Sequence, residues 1–216
     1  MKKNIAIFGS GAGTNAENIY HYFKTSKKIG VVVFCTNKKN ALINKRAKRL
    51  GVPVICFTNE ELMRFSVLEK KLISFGVDFI VLAGFLLKIP EQMINKYPDK
   101  IINLHPSLLP KYGGKGMYGD YVHQEVIKNN EQKSGISVHL VNEEYDKGRV
   151  LLQKSCILTK KDCVVSLRAK IQKLEYNWFP VAIENYIFIN PHFCRKPCMK
   201  IFIFFFNSKN CDTIFI

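Results

Sequence analysis

Short apolar runs alternate with segments of helical spacing along the first hundred residues. The apolar runs show no regular polar alternation, which is typical of strands buried on both faces of a parallel sheet. They lie at Lys3–Phe8, Gly30–Cys35, Val52–Phe57, Asp78–Ala83 and Lys100–Leu104. The segments between them carry apolar residues at helical spacing and predict helices at Thr14–Phe23, Ala41–Leu50, Glu60–Phe75 and Pro90–Tyr97. This alternation of strands and helices predicts an α/β fold.

The second half of the chain follows a different pattern. After a predicted helix at Tyr118–Asn129, two apolar runs follow each other without a helix between them, at Gly135–Val141 and Val150–Ile157. We therefore expect a Rossmann-like, mostly parallel central sheet with helices on both faces and late antiparallel strands. A long closing helix is predicted at Cys163–Ile187, with a kink or break at Pro180. Its expected core positions are Val165, Leu167, Ile171 and Leu174.

The end of the chain fits neither the helical nor the strand period. From Asn190 onwards it is apolar and aromatic, and contains IFIFFF without a charge. Such a segment is an aggregation hazard when it is exposed, although 199–206 has the length and composition of an edge strand. We predict one domain over residues 1–189 and an atypical, dispensable extension over residues 190–216 outside the core fold.

The chain is strongly basic, with 33 Lys and Arg against 17 Asp and Glu and a net charge of +16. An anionic partner such as a nucleotide, a polyglutamylated folate or RNA would explain this charge, and so would compositional drift. The lysines are scattered and do not cluster with aromatic residues, so the pattern favours small anionic substrates over nucleic acid. No long apolar run predicts a membrane span. The basic start reads as a strand and loop, which indicates a cytoplasmic protein.

The seven cysteines do not indicate a disulfide framework, because their number is odd and no secretion signal precedes them. His192, Cys194 and Cys198 lie close together but match no standard zinc spacing. We therefore expect no metal site.

A glycine-rich loop, Gly9–Gly13, follows the first predicted strand and opens a helix. Glycines allow a ligand to approach the backbone, and the free N–H groups of a helix N-terminus attract anions. The spacing is GxGxG, and no acidic residue closes the second strand to bind a ribose. Dinucleotide binding is therefore disfavoured, whereas phosphate binding and a ligand-free glycine turn both remain open.

Two further segments carry polar side chains at places where α/β proteins put their chemistry. Asn103 and His105 are two residues apart at the end of a predicted strand, so their side chains face the same side. An amide beside an imidazole suits acyl or formyl transfer, although a structural histidine would give the same pattern. The acidic segment Asn142–Gly148 lies between two late strands, and its spacing alone is that of a solvated turn.

Five segments in the same order together resemble the glycinamide ribonucleotide formyltransferases. INLHPSLLPKYGGKG resembles the signature of that family, and the resemblance extends from about Lys3 to about Ile187. The other four segments are GSGAGTN, VLAGFLLKIP, SGISVHLVNEEYDKG and IQKLEYNWFP. The resemblance implies transfer of a formyl group from 10-formyltetrahydrofolate to the amine of glycinamide ribonucleotide in de novo purine biosynthesis. It implies neither a metal nor a covalent enzyme intermediate.

The resemblance also implies roles for individual residues. Asn103 and His105 would stabilise the oxyanion of a tetrahedral intermediate, and Asp146 would hold the proton state of His105 and accept a proton through water. The residues implied for the ribonucleotide are Gly13, Thr14 and Asn15 at its phosphate and Glu175 elsewhere on it. Those implied for the folate are Leu86, Leu87 and Ile89 and the backbone of Asn142, Glu143, Glu144 and Tyr145 at the pterin, with Arg64 at the glutamate.

One departure from the family pattern concerns Lys147, which stands where the family often has glycine. A lysine is tolerated there only if the position needs no positive φ, and its ammonium would lower the proton affinity of Asp146 if the two were close. Three alternatives stay open: an enzyme resembling the methionyl-tRNA formyltransferases, a non-catalytic nucleotide-binding module, and a decayed enzyme. The expected partners are small molecules, with no nucleic acid or membrane, and the chain is expected to be a monomer or homodimer.

Overall fold

The computed structural model describes residues 1–189. The predicted extension over residues 190–216, including its possible edge strand, lies outside the described residues.

Seven strands form one mixed sheet in the order β3-β2-β1-β4-β5-β6-β7 within the described part of the chain. The pairs among β1 to β5 are parallel, whereas β6 pairs antiparallel with β5 and with β7. The strands are β1 (Lys3–Phe8), β2 (Ile29–Thr36), β3 (Val54–Cys56), β4 (Phe79–Leu82), β5 (Ile101–His105), β6 (Lys133–Leu140) and β7 (Val150–Ile157). The predicted mostly parallel sheet with late antiparallel strands is confirmed.

Helices cover both faces of this sheet, as predicted. They are α1 (Thr14–Phe23), α2 (Leu42–Leu50), α3 (Asn59–Arg64), α4 (Ser66–Ser74), α5 (Glu91–Lys96), α6 (Asp120–Lys128) and α7 (Val164–Ile189). One apolar core contains residues of α1, α2, α6 and α7, and the other contains residues of α3, α4 and α5. Successive side chains of β1 point to opposite faces of the sheet and so pack in different cores. Ile5 and Ile7 belong to the first core, and Ala6 and Phe8 belong to the second.

The single helix predicted over Glu60–Phe75 was wrong, because the structure has two helices that meet at Phe65. Phe65 adopts a left-handed conformation with φ 58° and separates α3 from α4. Its side chain is nevertheless buried with Leu62, Leu68 and Leu72. The apolar spacing therefore continues across the break, so the spacing alone does not reveal where the helix is interrupted.

The closing helix differs from the expectation at two positions. The prediction for Pro180 was a kink or a break. Pro180 lies inside α7, which continues unbroken from Val164 to Ile189, so the break is absent and the kink stays a prediction. Val165 is 69% exposed and does not belong to the core, because it lies about 200° around the helix from Leu167, which is buried. Leu167 and Ile171 are buried as predicted, and Leu174 is partly buried against the same core.

Candidate active site

Asn103, His105 and Asp146 converge at the carboxyl end of β5. The Nδ2 atom of Asn103 lies 3.5 Å from Oδ1 of Asp146, and Nδ1 of His105 lies 3.5 Å from Oδ2 of the same carboxylate. Asn103 and His105 are alternate residues of one strand, whereas Asp146 belongs to the turn after β6. The three residues are therefore close enough for one reacting centre to reach all of them.

The imidazole of His105 is buried and has an acceptor at each nitrogen. Its Nε2 lies 2.7 Å from the carbonyl oxygen of Tyr112, and its Nδ1 faces Asp146. Burial lowers the pKa of His105, while the charge of Asp146 and the Tyr112 carbonyl oppose that shift. A neutral ring can donate only one of these two hydrogen bonds. The site therefore holds His105 neutral at neutral pH but provides partners for the cation when a proton arrives.

The carboxylate of Asp146 is held from several sides. Its Oδ2 accepts a hydrogen bond of 2.9 Å from the backbone N–H of Gly114, and its backbone has φ 57°, which aspartate tolerates better than most residues. Burial would raise the pKa of Asp146, but the contact with His139, the charge of His105 and the Gly114 hydrogen bond outweigh burial and lower it. Asp146 is therefore an ionised carboxylate at neutral pH.

A fourth side chain, His139, belongs to the site and was not predicted. It lies opposite Asn103 in the β5–β6 register, and its Nε2 is 3.0 Å from Nδ2 of Asn103 and 3.4 Å from Oδ1 of Asp146. Its Nδ1 lies 2.7 Å from the carbonyl oxygen of Leu140. The tautomer decides the role of Nε2: with a proton it donates to the Asp146 carboxylate, and without one it accepts from Nδ2 of Asn103.

An irregularity in the β6–β7 pairing lies directly at His139. The β6–β7 register shifts between Val138 and His139, and bulges of this kind redirect side chains beside active sites. The only signal in the sequence was a histidine beside apolar residues near the end of a predicted strand. Cross-strand register is needed to place it opposite Asn103, and register is a long-range property that a single strand does not reveal.

The glycine-rich loop leads into α1 and brings together two residues predicted to bind the ribonucleotide. Gly13 is the N-cap of α1 with φ 73°, so the first N–H groups of the helix, including those of Thr14 and Asn15, have no partner within it. The Nδ2 of Asn15 donates a 2.8 Å hydrogen bond to Oε2 of Glu175, which lies on α7. The Oδ1 of Asn15 is buried and has no hydrogen-bond partner among residues 1–189.

Glu175 closes this end of the site. Burial raises its pKa, and the hydrogen bond from Asn15 opposes that rise. No cation among residues 1–189 pairs with this carboxyl group, so it suits a ligand that donates hydrogen bonds, such as a ribose hydroxyl or an amine.

The segment after β4 lies beside the glycine-rich loop. The Ser10 hydroxyl accepts a 3.2 Å hydrogen bond from the backbone N–H of Leu86. Leu86 is exposed and Leu87 is partly buried, so both side chains are available to a ligand. Ile89 is only 4% exposed and packs in the core of α3 to α5. Its side chain therefore anchors the segment to the core and is not accessible to a ligand.

The turn after β6 contributes the remaining residues predicted to contact folate. Asn142, Glu143 and Glu144 line an open groove of about 350 Å³. The ammonium of Lys88 lies 5.8 Å from the ring centroid of Tyr145 and so bridges this turn to the segment after β4. The structure therefore brings the two predicted folate segments together.

Arg64 lies apart from these segments. It lines a second open groove of about 420 Å³ together with Phe65, Glu69 and Lys96. The two grooves adjoin at Asn95, which lines both. A contact between Arg64 and the glutamate of a folate therefore stays a prediction that requires a ligand extending from one groove to the other.

The departure at Lys147 does not disturb Asp146. The Lys147 ammonium pairs with the exposed Glu144 carboxylate, and Lys147 is not among the groups that shift the pKa of Asp146. Positive φ belongs to Asp146 and not to Lys147. The neighbouring Gly148 is the one with a steric requirement, since a Cβ there would lie 1.8 Å from the carbonyl oxygen of Leu140.

We expect Lys147→Gly to leave kcat within about twofold of the unchanged protein, because an exposed ion pair contributes little. Gly148→Ala is the contrasting variant, and its clash with Leu140 should displace the turn and lower both kcat and the melting temperature. Steady-state formyl-transfer kinetics and thermal melting measure these effects. A large loss of turnover in Lys147→Gly would contradict this interpretation of the turn.

Residues 1–189 offer neither a metal-binding cluster nor a membrane-spanning helix. No cluster of three or more His, Cys, Asp or Glu side chains there is arranged to hold a metal ion. None of the helices in that part of the chain is long and apolar enough to cross a membrane.

Comparison with known proteins gives consistent results. The curated relatives include a chloroplastic phosphoribosylglycinamide formyltransferase of Arabidopsis thaliana, 36% identical over 184 residues, which cover 82% of this chain and 63% of that protein. The phosphoribosylglycinamide formyltransferase of Haemophilus influenzae is 33% identical over 189 residues, covering 84% of this chain and 86% of that protein. The chain thus spans less than two thirds of the length of the plant relatives it matches. For the Vigna unguiculata protein, the matched region covers 60% of that protein.

Solved structures agree with these relatives. The phosphoribosylglycinamide formyltransferase of Bacillus halodurans superposes with a TM-score of 0.77 at 29% identity, covering 86% of this chain and 96% of that one. The family model described as formyl transferase matches residues 3–183, which include all four side chains at the carboxyl end of β5. From this match and these relatives, the chain belongs to the formyl transferase family.

Proposed function

We propose that this protein transfers the formyl group of 10-formyltetrahydrofolate to the amine of glycinamide ribonucleotide. The observation that carries the proposal is the convergence of Asn103, His105 and Asp146 at the end of β5. The names of the relatives support it, since those proteins are phosphoribosylglycinamide formyltransferases.

The proposed chemistry is a direct transfer. The amine attacks the formyl carbon, and the carbonyl oxygen becomes the oxyanion of a tetrahedral intermediate. The amide of Asn103 and the imidazole of His105 donate hydrogen bonds to that oxygen, so that both stabilise the transition state more than the ground state. The bond from the formyl carbon to N10 of the folate then breaks, and N10 receives a proton as the new amide forms.

Asp146 and His139 prepare these groups for reaction. The Asp146 carboxylate, which its neighbours keep ionised, accepts the proton lost by the attacking amine through a water molecule. It also stabilises His105 when the imidazole becomes protonated. His139 acts as a positioning residue, because its contact with Nδ2 of Asn103 fixes the direction of the amide.

Each substrate has a proposed place around this centre. The ribonucleotide phosphate binds the N–H groups at Gly13, Thr14 and Asn15, where the helix dipole favours an anion. Glu175 and the unpartnered Oδ1 of Asn15 bind polar groups of the same substrate. The pterin lies between the segment after β4 and the turn after β6.

A formyl-transfer assay with glycinamide ribonucleotide and 10-formyltetrahydrofolate tests the proposal. We expect turnover that depends on both substrates and no formylation of methionyl-tRNA under the same conditions. Binding of both substrates without turnover would favour a decayed enzyme. Binding of a nucleotide without binding of folate would favour a non-catalytic nucleotide-binding module.

Gly13→Ala should raise the KM for glycinamide ribonucleotide about tenfold and leave the KM for folate nearly unchanged, since strained left-handed backbone costs on the order of 1–3 kcal/mol. The position has φ 73°, and a Cβ would lie 2.8 Å from Cβ of Ile43. Gly11→Ala is the matched control, because a Cβ there meets nothing within 4 Å. If Gly13→Ala instead weakens folate binding, the two substrate pockets are assigned in the wrong order.

A further inference from the structure

Helix α2 packs directly against the glycine-rich loop. The backbone N–H of Ile43 donates a 3.2 Å hydrogen bond to the carbonyl oxygen of Gly11, and the Ile43 side chain lies against Gly9 and Gly13 so closely that neither has room for a Cβ. The conformation of the loop is therefore determined partly by α2.

Arg46 is the side chain of α2 that links the loop to α1. Its Nε donates a 2.8 Å hydrogen bond to the carbonyl oxygen of Ala12, and its Nη1 donates to the carboxylate of Glu17. Only a planar guanidinium can make two such bonds in different directions from one rigid group. Arg46 therefore fixes the loop residue immediately before Gly13 and the first turn of α1 at the same time.

The charge of Glu17 would affect the binding of an anion at the start of α1. It lies in the first turn of α1, close to the N–H groups proposed to bind phosphate. Burial would raise its pKa, but the hydrogen bonds and charges of Arg49 and Arg46 prevail and lower it, so the carboxylate is ionised. An uncompensated negative charge at this place would repel a phosphate. Arg46 and Arg49 together neutralise it.

We propose that Arg46 is a positioning residue for the substrate phosphate, an inference that rests on the proposed function. It holds the Ala12 carbonyl so that the N–H groups from Gly13 to Asn15 face the anion, and it neutralises the one carboxylate in the first turn of α1. It touches neither the reacting atoms nor the folate segments. Its effect should therefore appear in the affinity for the phosphorylated substrate and not in the chemical step.

Arg49 provides a matched control from the same helix. It also pairs with Glu17, but no hydrogen bond joins it to the loop among the described residues. Its side chain is 65% exposed, against 27% for that of Arg46. Arg49→Met removes one neutralising charge and leaves the Ala12 contact in place.

The first experiment compares Arg46→Met with Arg49→Met in steady-state kinetics. Arg46→Met should raise the KM for glycinamide ribonucleotide about tenfold, since a hydrogen bond to a charged group typically contributes enough free energy for such a factor. Its kcat and its KM for 10-formyltetrahydrofolate should stay within about twofold. Arg49→Met should raise the KM for glycinamide ribonucleotide clearly less than Arg46→Met does, because Arg46 then still pairs with Glu17 and still holds the Ala12 carbonyl. Equal effects of the two variants would overturn the proposal.

A calorimetric titration separates phosphate positioning from general damage to the fold. Arg46→Met should lose about tenfold in affinity for glycinamide ribonucleotide and little for the dephosphorylated glycinamide riboside, because only the former carries the anion. Arg46→Lys should recover part of this affinity, since an ammonium keeps the charge but cannot make both bonds. A parallel loss for both ligands would overturn the proposal in favour of a merely structural role.

The titration also keeps the two proposals distinguishable. If the unchanged protein binds the ribonucleotide but transfers no formyl group, the proposed function fails while the comparison of ligands still tests Arg46. If the unchanged protein binds the ribonucleotide no better than the riboside, no phosphate site exists and the role of Arg46 is overturned.

Discussion

Replacing His105 or Asn103 with alanine should lower kcat by about 10²–10³, because each removal takes away one donor to the developing oxyanion. The KM values should change far less, since these donors act mainly in the transition state. Steady-state kinetics with both substrates provides the measurement. Turnover near that of the unchanged protein in either variant would show that the oxyanion is stabilised elsewhere.

His105 is buried, so a loss of activity in His105→Ala needs a control for folding. His105→Gln fills the space better and can still donate to the Tyr112 carbonyl, but it cannot carry a proton. It should melt near the unchanged protein and remain slow. The double variant of Asn103 and His105 should be little slower than the slower single variant, because groups that act as a unit are not additive.

Asp146→Asn should lower kcat by about 10²–10⁴, the usual contribution of a positioned general acid or base. Asparagine tolerates the left-handed backbone at this position, and its amide oxygen can still accept from the Gly114 N–H. The variant therefore removes the charge and the proton acceptor while it keeps the local structure. Activity retained within about tenfold would exclude Asp146 as the base.

The Asp146→Asn variant should also change the pKa of His105, which is a second measurable effect. The charge of Asp146 opposes the lowering of the His105 pKa by burial. Without that charge, the pKa of His105 should fall further below its ordinary value, and NMR titration of the imidazole measures the shift. An unchanged titration would indicate that the two groups do not interact in solution.

The sequence was sufficient to predict the layered fold and two members of the candidate site. Apolar runs separated by helical segments predict parallel strands, and the two-residue spacing of Asn103 and His105 predicts that their side chains face the same side. Both inferences depend only on local spacing. The family resemblance was needed for Asp146, because an acidic turn has the same local pattern whether it is solvated or catalytic.

The features that were missed depend on contacts between distant parts of the chain. His139 joins the site only because β6 pairs with β5 in one particular register. Phe65 interrupts the helix while its side chain stays in the apolar stripe, so the interruption leaves no trace in the spacing. Val165 is a different case, because it lies two residues before the buried Leu167 and so on the opposite face of α7, which the helical period alone could have shown.

The hydrogen bond between Asn15 and Glu175 has a consequence for the synthesis of the protein. It joins α1 to α7 across 160 positions of the chain. A growing chain acquires Asn103, His105 and Asp146 well before Glu175, which we propose to bind the ribonucleotide. If that proposal holds, a polypeptide interrupted before Glu175 would carry the proposed transfer groups without this substrate contact, so nearly all of residues 1–189 must be translated before the proposed site is complete.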